Sequence, residues 1–93
     1  MRAQEAYRIG LVNEVVPAGE LIARAEAILN EILANAPLAI KFSLEAVNKG
    51  LETSQAEGLA LEASLFGLCA GTDDKREGTQ AFLQKRAPQF HGR

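Results

Sequence analysis

The chain has 93 residues, of which 47% are hydrophobic and 24% are charged, so it is long enough for one small domain with a modest core. Its formal net charge of −2 at pH 7 gives no electrostatic basis for binding nucleic acid or an anionic membrane surface. Because no apolar run could span a bilayer, no secretory signal opens the chain and Cys69 is the single cysteine, we expect a cytoplasmic protein without an internal disulfide.

Apolar residues recur at helical spacing along nearly the whole chain, which predicts an all-α fold. The first helix is expected from Ala3 to Ile9, because Gly10 readily takes the left-handed conformation that ends a helix. Residues 11–16 indicate an extended segment that is too short to build a sheet alone. Pro17 is expected to open the second helix, since proline fits a first helical turn.

Two more helices are predicted from their starting residues. Pro37 suits the first turn of a third helix that runs to about Lys49. Ser54 is expected to cap a fourth helix, with Glu57 placed three residues later to complete a capping box. This fourth helix is expected to end at Gly71.

A fifth helix is predicted to follow directly, with Thr72 as its cap. Asp73 and Asp74 lie in its first turn, where carboxylates complement the positive end of the helix dipole. No internal repeat or low-complexity linker divides the chain. The sequence therefore predicts four to five short helices in one small domain over residues 1–93.

The third and fourth predicted helices carry more apolar surface than a five-helix core requires. Their apolar positions are Ile40, Leu44, Val47 and Leu51 on one stripe of the third helix with Leu38 and Phe42 on another side, and Leu59, Leu61, Leu65, Phe66, Leu68 and Cys69 in the fourth. A helix that is apolar most of the way round is normally buried on both sides. Leaving a phenylalanine exposed forfeits roughly 1.5–3 kcal/mol of burial. Either the domain packs against something besides itself, or its helices enclose all these side chains in one core.

The residues that could carry chemistry do not form a recognisable active site. His91, the only histidine, lies three residues from the end of the sequence, so we expect an exposed side chain without a structural role. Cys69 lies in an apolar run and is expected to be an inert, buried thiol. The sequence has no Gly-rich phosphate loop and no metal-ligand spacing. We therefore predict no catalytic residue and no metal site.

Four blocks of residues, in order and with consistent spacing, carry a resemblance to a known family. The blocks are E-A-Y-R-I-G-L-V-N-E-V-V-P at residues 5–17, N-A-P-L-A at 35–39, E-G-L-x-x-E at 57–62 and D-x-x-E-G-x-x-A-F-L-x-K-R-x-P-x-F-x-G-R at 74–93. Together they resemble the carboxyl-terminal part of the enoyl-CoA hydratase/isomerase (crotonase) family. Hydratase, isomerase and hydrolase members share this tail.

The resemblance implies a fold and a role. Crotonase-fold enzymes have a spiral core of ββα units, followed by a helical domain that packs on the core and between subunits of trimers. Their oxyanion hole and acid/base glutamates lie in the core, which has no counterpart in this sequence. The chain is thus expected to be the carboxyl-terminal module of an enzyme that hydrates 2-enoyl-CoA thioesters in fatty-acid oxidation. Core packing, homo-oligomerisation and one edge of the CoA site are its expected roles. Acyl-CoA is the parent enzyme's substrate, and no cofactor is expected.

The resemblance also implies one pair of binding residues. In family members an aromatic residue and a lysine near the carboxyl end approach the adenine and phosphates of CoA, and they match Phe82 and Lys85 here. On a helix, residues three apart share one face, so a ring could cover the adenine while an ammonium meets a phosphate. Arg86 could add charge nearby. Alternatively, Phe82 packs in the core of the last helix and Lys85 is an ordinary solvated lysine.

A different class of function stays open beside this one. A free-standing helical module could keep the fold and use its apolar groove for another protein, without any dependence on CoA. An autonomous enzyme is disfavoured, because no acid/base set is found in the sequence.

Overall fold

The computed structural model describes residues 1–93 and contains helices but no strand. The helices are α1 (Ala3–Arg8), α2 (Leu21–Leu33), α3 (Pro37–Gly50), α4 (Gln55–Ala70) and α5 (Asp73–Leu83), with a 3-10 turn at Ala18–Glu20. The prediction of an all-α fold with five short helices is confirmed. The chain forms two compact units, Met1–Glu31 and Ile32–Arg93. That residues 1–93 act as one domain stays a prediction.

In the first unit, α1 ends in a Schellman motif built on Gly10. Gly10 has a φ of +77°, in the left-handed region that a residue with a Cβ rarely adopts. The N–H of Gly10 donates to the carbonyl of Tyr7 at 3.1 Å, and that of Leu11 donates to the carbonyl of Ala6 at 2.9 Å. These two bonds satisfy carbonyls that the helix end would leave unpaired. The predicted stop at Gly10 is therefore confirmed.

The start of the second helix differs from the prediction. Pro17 does not lie in α2: it precedes the 3-10 turn, and its carbonyl accepts from the N–H of Glu20 at 2.9 Å. The tight turn satisfies backbone groups before the α-helical pattern begins at Leu21. An ion pair at 2.9 Å between Arg24 and Glu14 ties α2 to the preceding segment.

In the second unit, α3 and α4 pack against each other with a close approach at their connected ends. A Cβ built on Gly58 would lie 3.5 Å from the Cα of Gly50, so glycine allows the two backbones to come near. Ser54 caps α4 as predicted, since its Oγ accepts from the N–H of Glu57 at 3.2 Å. The other half of the predicted capping box is wrong. The Glu57 carboxylate accepts from the hydroxyl of Thr53, a competing donor one residue before the cap.

Thr72 joins α4 to α5 with one side chain. Its hydroxyl donates to the carbonyl of Cys69 at 2.7 Å and accepts from the N–H of Lys75 at 3.1 Å. The predicted cap of the fifth helix is therefore confirmed, and the same oxygen also satisfies a carbonyl in the last turn of α4.

Few apolar side chains are buried. Only Ala6, Leu65 and Ala81 are buried apolar residues, while large ones on α3, α4 and α5 are mostly exposed. Exposed fractions are 60% for Leu44, 60% for Val47, 83% for Leu51 and 76% for Phe66. The alternative in which the helices enclose these side chains in one core is wrong.

No single helix is both long and apolar enough to cross a membrane. The bent helix pair Ala18–Leu33 and Pro37–Gly50 reaches the length and composition of a membrane span only when the two helices are taken together.

Candidate functional site

The two residues expected to contact CoA lie at the end of α5. The helix ends at Leu83, and Lys85 follows it with a φ of +54°. The N–H of Lys85 donates to the carbonyl of Phe82 at 3.2 Å, and that of Arg86 donates to the carbonyl of Ala81 at 3.0 Å. These bonds form a second Schellman motif, here built on a lysine. The expectation that Phe82 and Lys85 are neighbours on one helix face is wrong, because the chain leaves the helix before Lys85.

Both side chains are available to a ligand. Phe82 is 83% exposed, so within this chain it does not pack in a core. It lines one side of an open cavity of about 500 Å³, whose other lining residues include Ala39, Thr79 and Phe90. Lys85 is exposed, and its side chain makes no hydrogen bond or ion pair. The binding roles of Phe82 and Lys85 stay predictions.

Arg86 differs from Lys85 because its guanidinium is paired within the chain. It donates to the two carboxylate oxygens of Glu77 at 2.5 and 3.1 Å, and to the side-chain carbonyl of Gln84 at 2.8 Å. The bonds to the Glu77 carboxylate raise the pKa of Arg86. The Arg86 guanidinium, followed by the N–H of Gln89, lowers the pKa of Glu77 to about 2. Arg86 was expected to add charge near the site; its guanidinium is paired with Glu77, and its role towards a ligand stays a prediction.

A buried aspartate anchors the end of the chain. Asp74 is only 2% exposed, and its carboxylate accepts from the N–H of His91 at 2.8 Å and of Gly92 at 2.7 Å. Its own N–H donates to the carbonyl of Arg93 at 2.8 Å. The N–H of His91, foremost, and those of Gly92 and Arg93 hold the pKa of Asp74 below its usual range, against the opposing effect of desolvation.

Residues 84–93, which we call the C-terminal tail, therefore fold back along α5. The ring of Phe90 covers Gly78, where a Cβ would lie 3.4 Å from the ring, so the glycine makes room for the aromatic side chain. Gly92, with a φ of +76°, lies near the ring of Pro37 in α3. The expectation of no structural role for His91 is wrong for its backbone, while its side chain is exposed as predicted.

Sequence reasoning missed both carboxylates of this arrangement. Asp74 was expected only to complement the helix dipole, and Glu77 was noted only as part of the family motif. Their spacing was a usable signal, because residues three apart on α5 share a face. A tail that returns to that face would meet both carboxylates.

No group of three His, Cys, Asp or Glu side chains is close enough to hold a metal ion. Cys69 is half-buried rather than fully buried. The absence of catalytic residues stays a prediction.

Comparisons with known proteins place these features in context. The family model described as "Enoyl-CoA hydratase/isomerase" matches residues 1–93. The chain is 44% identical over 86 residues to a "Short-chain-enoyl-CoA hydratase" of Clostridium acetobutylicum, covering 92% of this chain and 33% of that protein. It is 43% identical over 90 residues to a "Crotonyl-CoA hydratase" of Syntrophomonas wolfei, covering 97% of this chain and 35% of that protein.

Solved structures agree with the sequence relatives. A crystal structure of an enoyl-CoA hydratase/isomerase from Mycobacterium paratuberculosis matches with a TM-score of 0.95 and 36% identity, covering 100% of this chain and 37% of that one. An enoyl-CoA hydratase from Bacillus anthracis matches with a TM-score of 0.94 and 37% identity, covering 98% of this chain and 35% of that one. The chain thus spans about a third of the length of the relatives it matches.

Proposed function

Because the chain belongs to the enoyl-CoA hydratase/isomerase family, whose model matches residues 1–93, we propose that it is the carboxyl-terminal helical module of an enzyme that hydrates 2-enoyl-CoA thioesters. The relatives named as hydratases support this reaction over isomerisation. The acid/base groups and the oxyanion hole would come from the part of such an enzyme that this chain does not align with. The proposed setting is fatty-acid oxidation in the cytoplasm.

The exposed apolar surface of α3 and α4 supports a packing and assembly role, and it is the observation that carries the proposal. Small domains normally bury phenylalanine and leucine side chains. Here the exposed fractions are 76% for Phe66, 83% for Leu51 at the end of α3 and 60% for Leu44. Each side chain left in water forgoes about 1.5–3 kcal/mol of burial. A surface of this kind is typical of an interface. We propose that it packs on the catalytic core and on neighbouring copies of the chain.

One edge of the CoA site is the second proposed role. An exposed aromatic ring at Phe82 suits stacking on adenine, and the unpaired ammonium of Lys85 suits a phosphate as a point charge. The hydrogen bond between their backbones, 3.2 Å long, keeps the two residues in one rigid turn. A preorganised site of this kind loses less conformational entropy on binding.

A ¹⁵N–¹H correlation spectrum of the chain, titrated with CoA, tests this role. We expect saturable shifts at Phe82 and Lys85, which weaken several-fold in Lys85→Gln because the phosphate contact is lost. Lys49→Gln, at the exposed end of α3, is the matched control and should bind as the wild type does. Shifts that are absent, or unchanged in Lys85→Gln, would refute the CoA contact.

The same apolar surface also favours a second candidate, a free-standing module that binds another protein. This alternative predicts complexes that are indifferent to CoA. Association that persists unchanged in Lys85→Gln, together with a spectrum that ignores CoA, would favour it over the enzyme module.

A further inference from the structure

The lysine at the end of α5 occupies a backbone conformation that suits glycine. The two Schellman motifs of the chain have their left-handed residues at Gly10, with a φ of +77°, and at Lys85, with a φ of +54°. A Cβ makes this region unfavourable for residues other than glycine. Such a conformation persists only when surrounding interactions impose it, and it then points to a functional constraint.

The imposing interactions come from Glu77. Its carboxylate binds Arg86, the residue directly after Lys85, through two guanidinium bonds of 2.5 and 3.1 Å. It also accepts from the N–H of Gln89 at 3.0 Å. The backbone N–H of Arg86 closes the turn onto Ala81 at 3.0 Å. Arg86 is therefore held through both its backbone and its side chain, and Lys85 has little freedom to relax.

We propose that Glu77 is the positioning residue of the Lys85 turn, which it holds through Arg86 and Gln89. In this arrangement the two adjacent cations have separate tasks. The planar guanidinium of Arg86 matches a carboxylate in shape and binds Glu77 of the same chain. The compact ammonium of Lys85 has no partner in the chain and is left to bind an anionic ligand. The part of this inference that concerns a phosphate on Lys85 rests on the proposed CoA contact. The part that concerns the turn does not.

Amide hydrogen exchange in a double-mutant cycle tests the turn. We expect Glu77→Gln to speed exchange of the Arg86 backbone amide about tenfold. The substitution replaces the charge-assisted bond between the Arg86 guanidinium and residue 77 by a weaker one, so the turn that protects this amide opens more often. In a chain that already carries Lys85→Gly, the same change should have an effect of about threefold or less, since glycine needs no help to adopt this conformation. Equal effects in the two backgrounds would overturn the positioning role.

A matched control separates local from general effects. Glu5 pairs with Arg8 at 2.6 Å in α1, and Glu5→Gln removes a similar exposed ion pair without touching the turn. In the Glu5→Gln variant, the Arg86 amide should exchange at the wild-type rate. If Glu77→Gln also loses protection at Leu65 in α4, the milder Arg86→Lys decides. Arg86→Lys keeps the positive charge but loses the two-pronged guanidinium contact with Glu77. It should speed exchange of the backbone amide at position 86 and leave the amide of Leu65 protected.

A CoA titration of the same variants decides the ligand part. If Glu77 positions Lys85, Glu77→Gln should weaken CoA binding several-fold although both proposed contact residues are intact. Unchanged affinity would overturn the link to the ligand. If the wild type does not respond to CoA at all, the proposed CoA contact fails, while the exchange cycle still decides whether Glu77 positions the turn.

Discussion

Two helices of this chain end in the same backbone motif, but on different residues. At the end of α1 the left-handed residue is Gly10, and at the end of α5 it is Lys85. Both motifs have the same pair of backbone hydrogen bonds, between 2.9 and 3.2 Å. The first motif needs only the conformational freedom of glycine. The second carries a cost of roughly 1–2 kcal/mol for its Cβ and is held by the C-terminal tail.

The two helix ends differ in what determines their backbone conformation: the residue type at Gly10, and contacts with the rest of the chain at Lys85. The helix end at Gly10 follows from one residue type, and no side chain is needed to enforce it. The turn at Lys85 is held by Glu77, and Asp74 fastens the tail at a second place along α5. A non-glycine residue in this position is therefore evidence of a rigid neighbourhood, and in this family member it coincides with a proposed ligand contact.

The largest effect is expected from releasing the tail at Asp74. Asp74→Ala removes the acceptor of two backbone N–H groups and leaves them unpaired in a partly buried place. We expect the thermal midpoint to fall by on the order of 10 °C, measured by circular dichroism. Asp73→Ala, at the exposed neighbouring position in the same first turn, is the control and should change the midpoint far less. Equal effects of the two substitutions would argue against an anchored tail.

Exchanging the residue types at the two helix ends should give effects of opposite sign. Gly10→Ala forces a Cβ into the left-handed region and should destabilise the chain by about 1 kcal/mol. Lys85→Gly relieves that strain and should stabilise it by about 0.5 kcal/mol. Both values can be measured by urea denaturation. If Lys85→Gly is destabilising, the lysine is not strained and the contrast between the two ends disappears.

A smaller effect is expected in the pH dependence. The pKa of Glu77 falls from 4.5 to about 2 on folding, chiefly because Arg86 binds the carboxylate. The resulting stabilisation is complete above about pH 4.5 and is lost as the pH falls through about 2. The difference in thermal midpoint between the wild type and Glu77→Gln should therefore be constant above this window and shrink within it. Glu45→Gln, at an exposed position of α3, should not reproduce the change. A difference that is independent of pH would contradict the role of Arg86.

Much of the local structure was predictable from residue types. The sequence marked one helix end correctly, at Gly10, and three helix starts, at Pro37, Ser54 and Thr72. Each of these residues acts on backbone groups within a few positions. The family was likewise predictable from its four sequence blocks, and the resemblance is confirmed.

The candidate site was less predictable for a physical reason. Lys85 was assigned to a helix, since no propensity rule places a lysine in the left-handed region. The anchoring of His91 and Gly92 by Asp74 links residues 17 and 18 positions apart, a separation at which helical periodicity carries no information. The conformation of the Lys85 turn likewise rests on bonds between distant positions, because Glu77 contacts Arg86 and Gln89, 9 and 12 positions away.

We propose above all that the Lys85 turn presents Phe82 and Lys85 to the nucleotide end of CoA. The most direct test compares CoA with pantetheine, which lacks the nucleotide, in ¹⁵N–¹H titrations of the wild-type chain. We expect saturable shifts at both residues with CoA and none with pantetheine. Equal shifts with both compounds, or none with either, would contradict it.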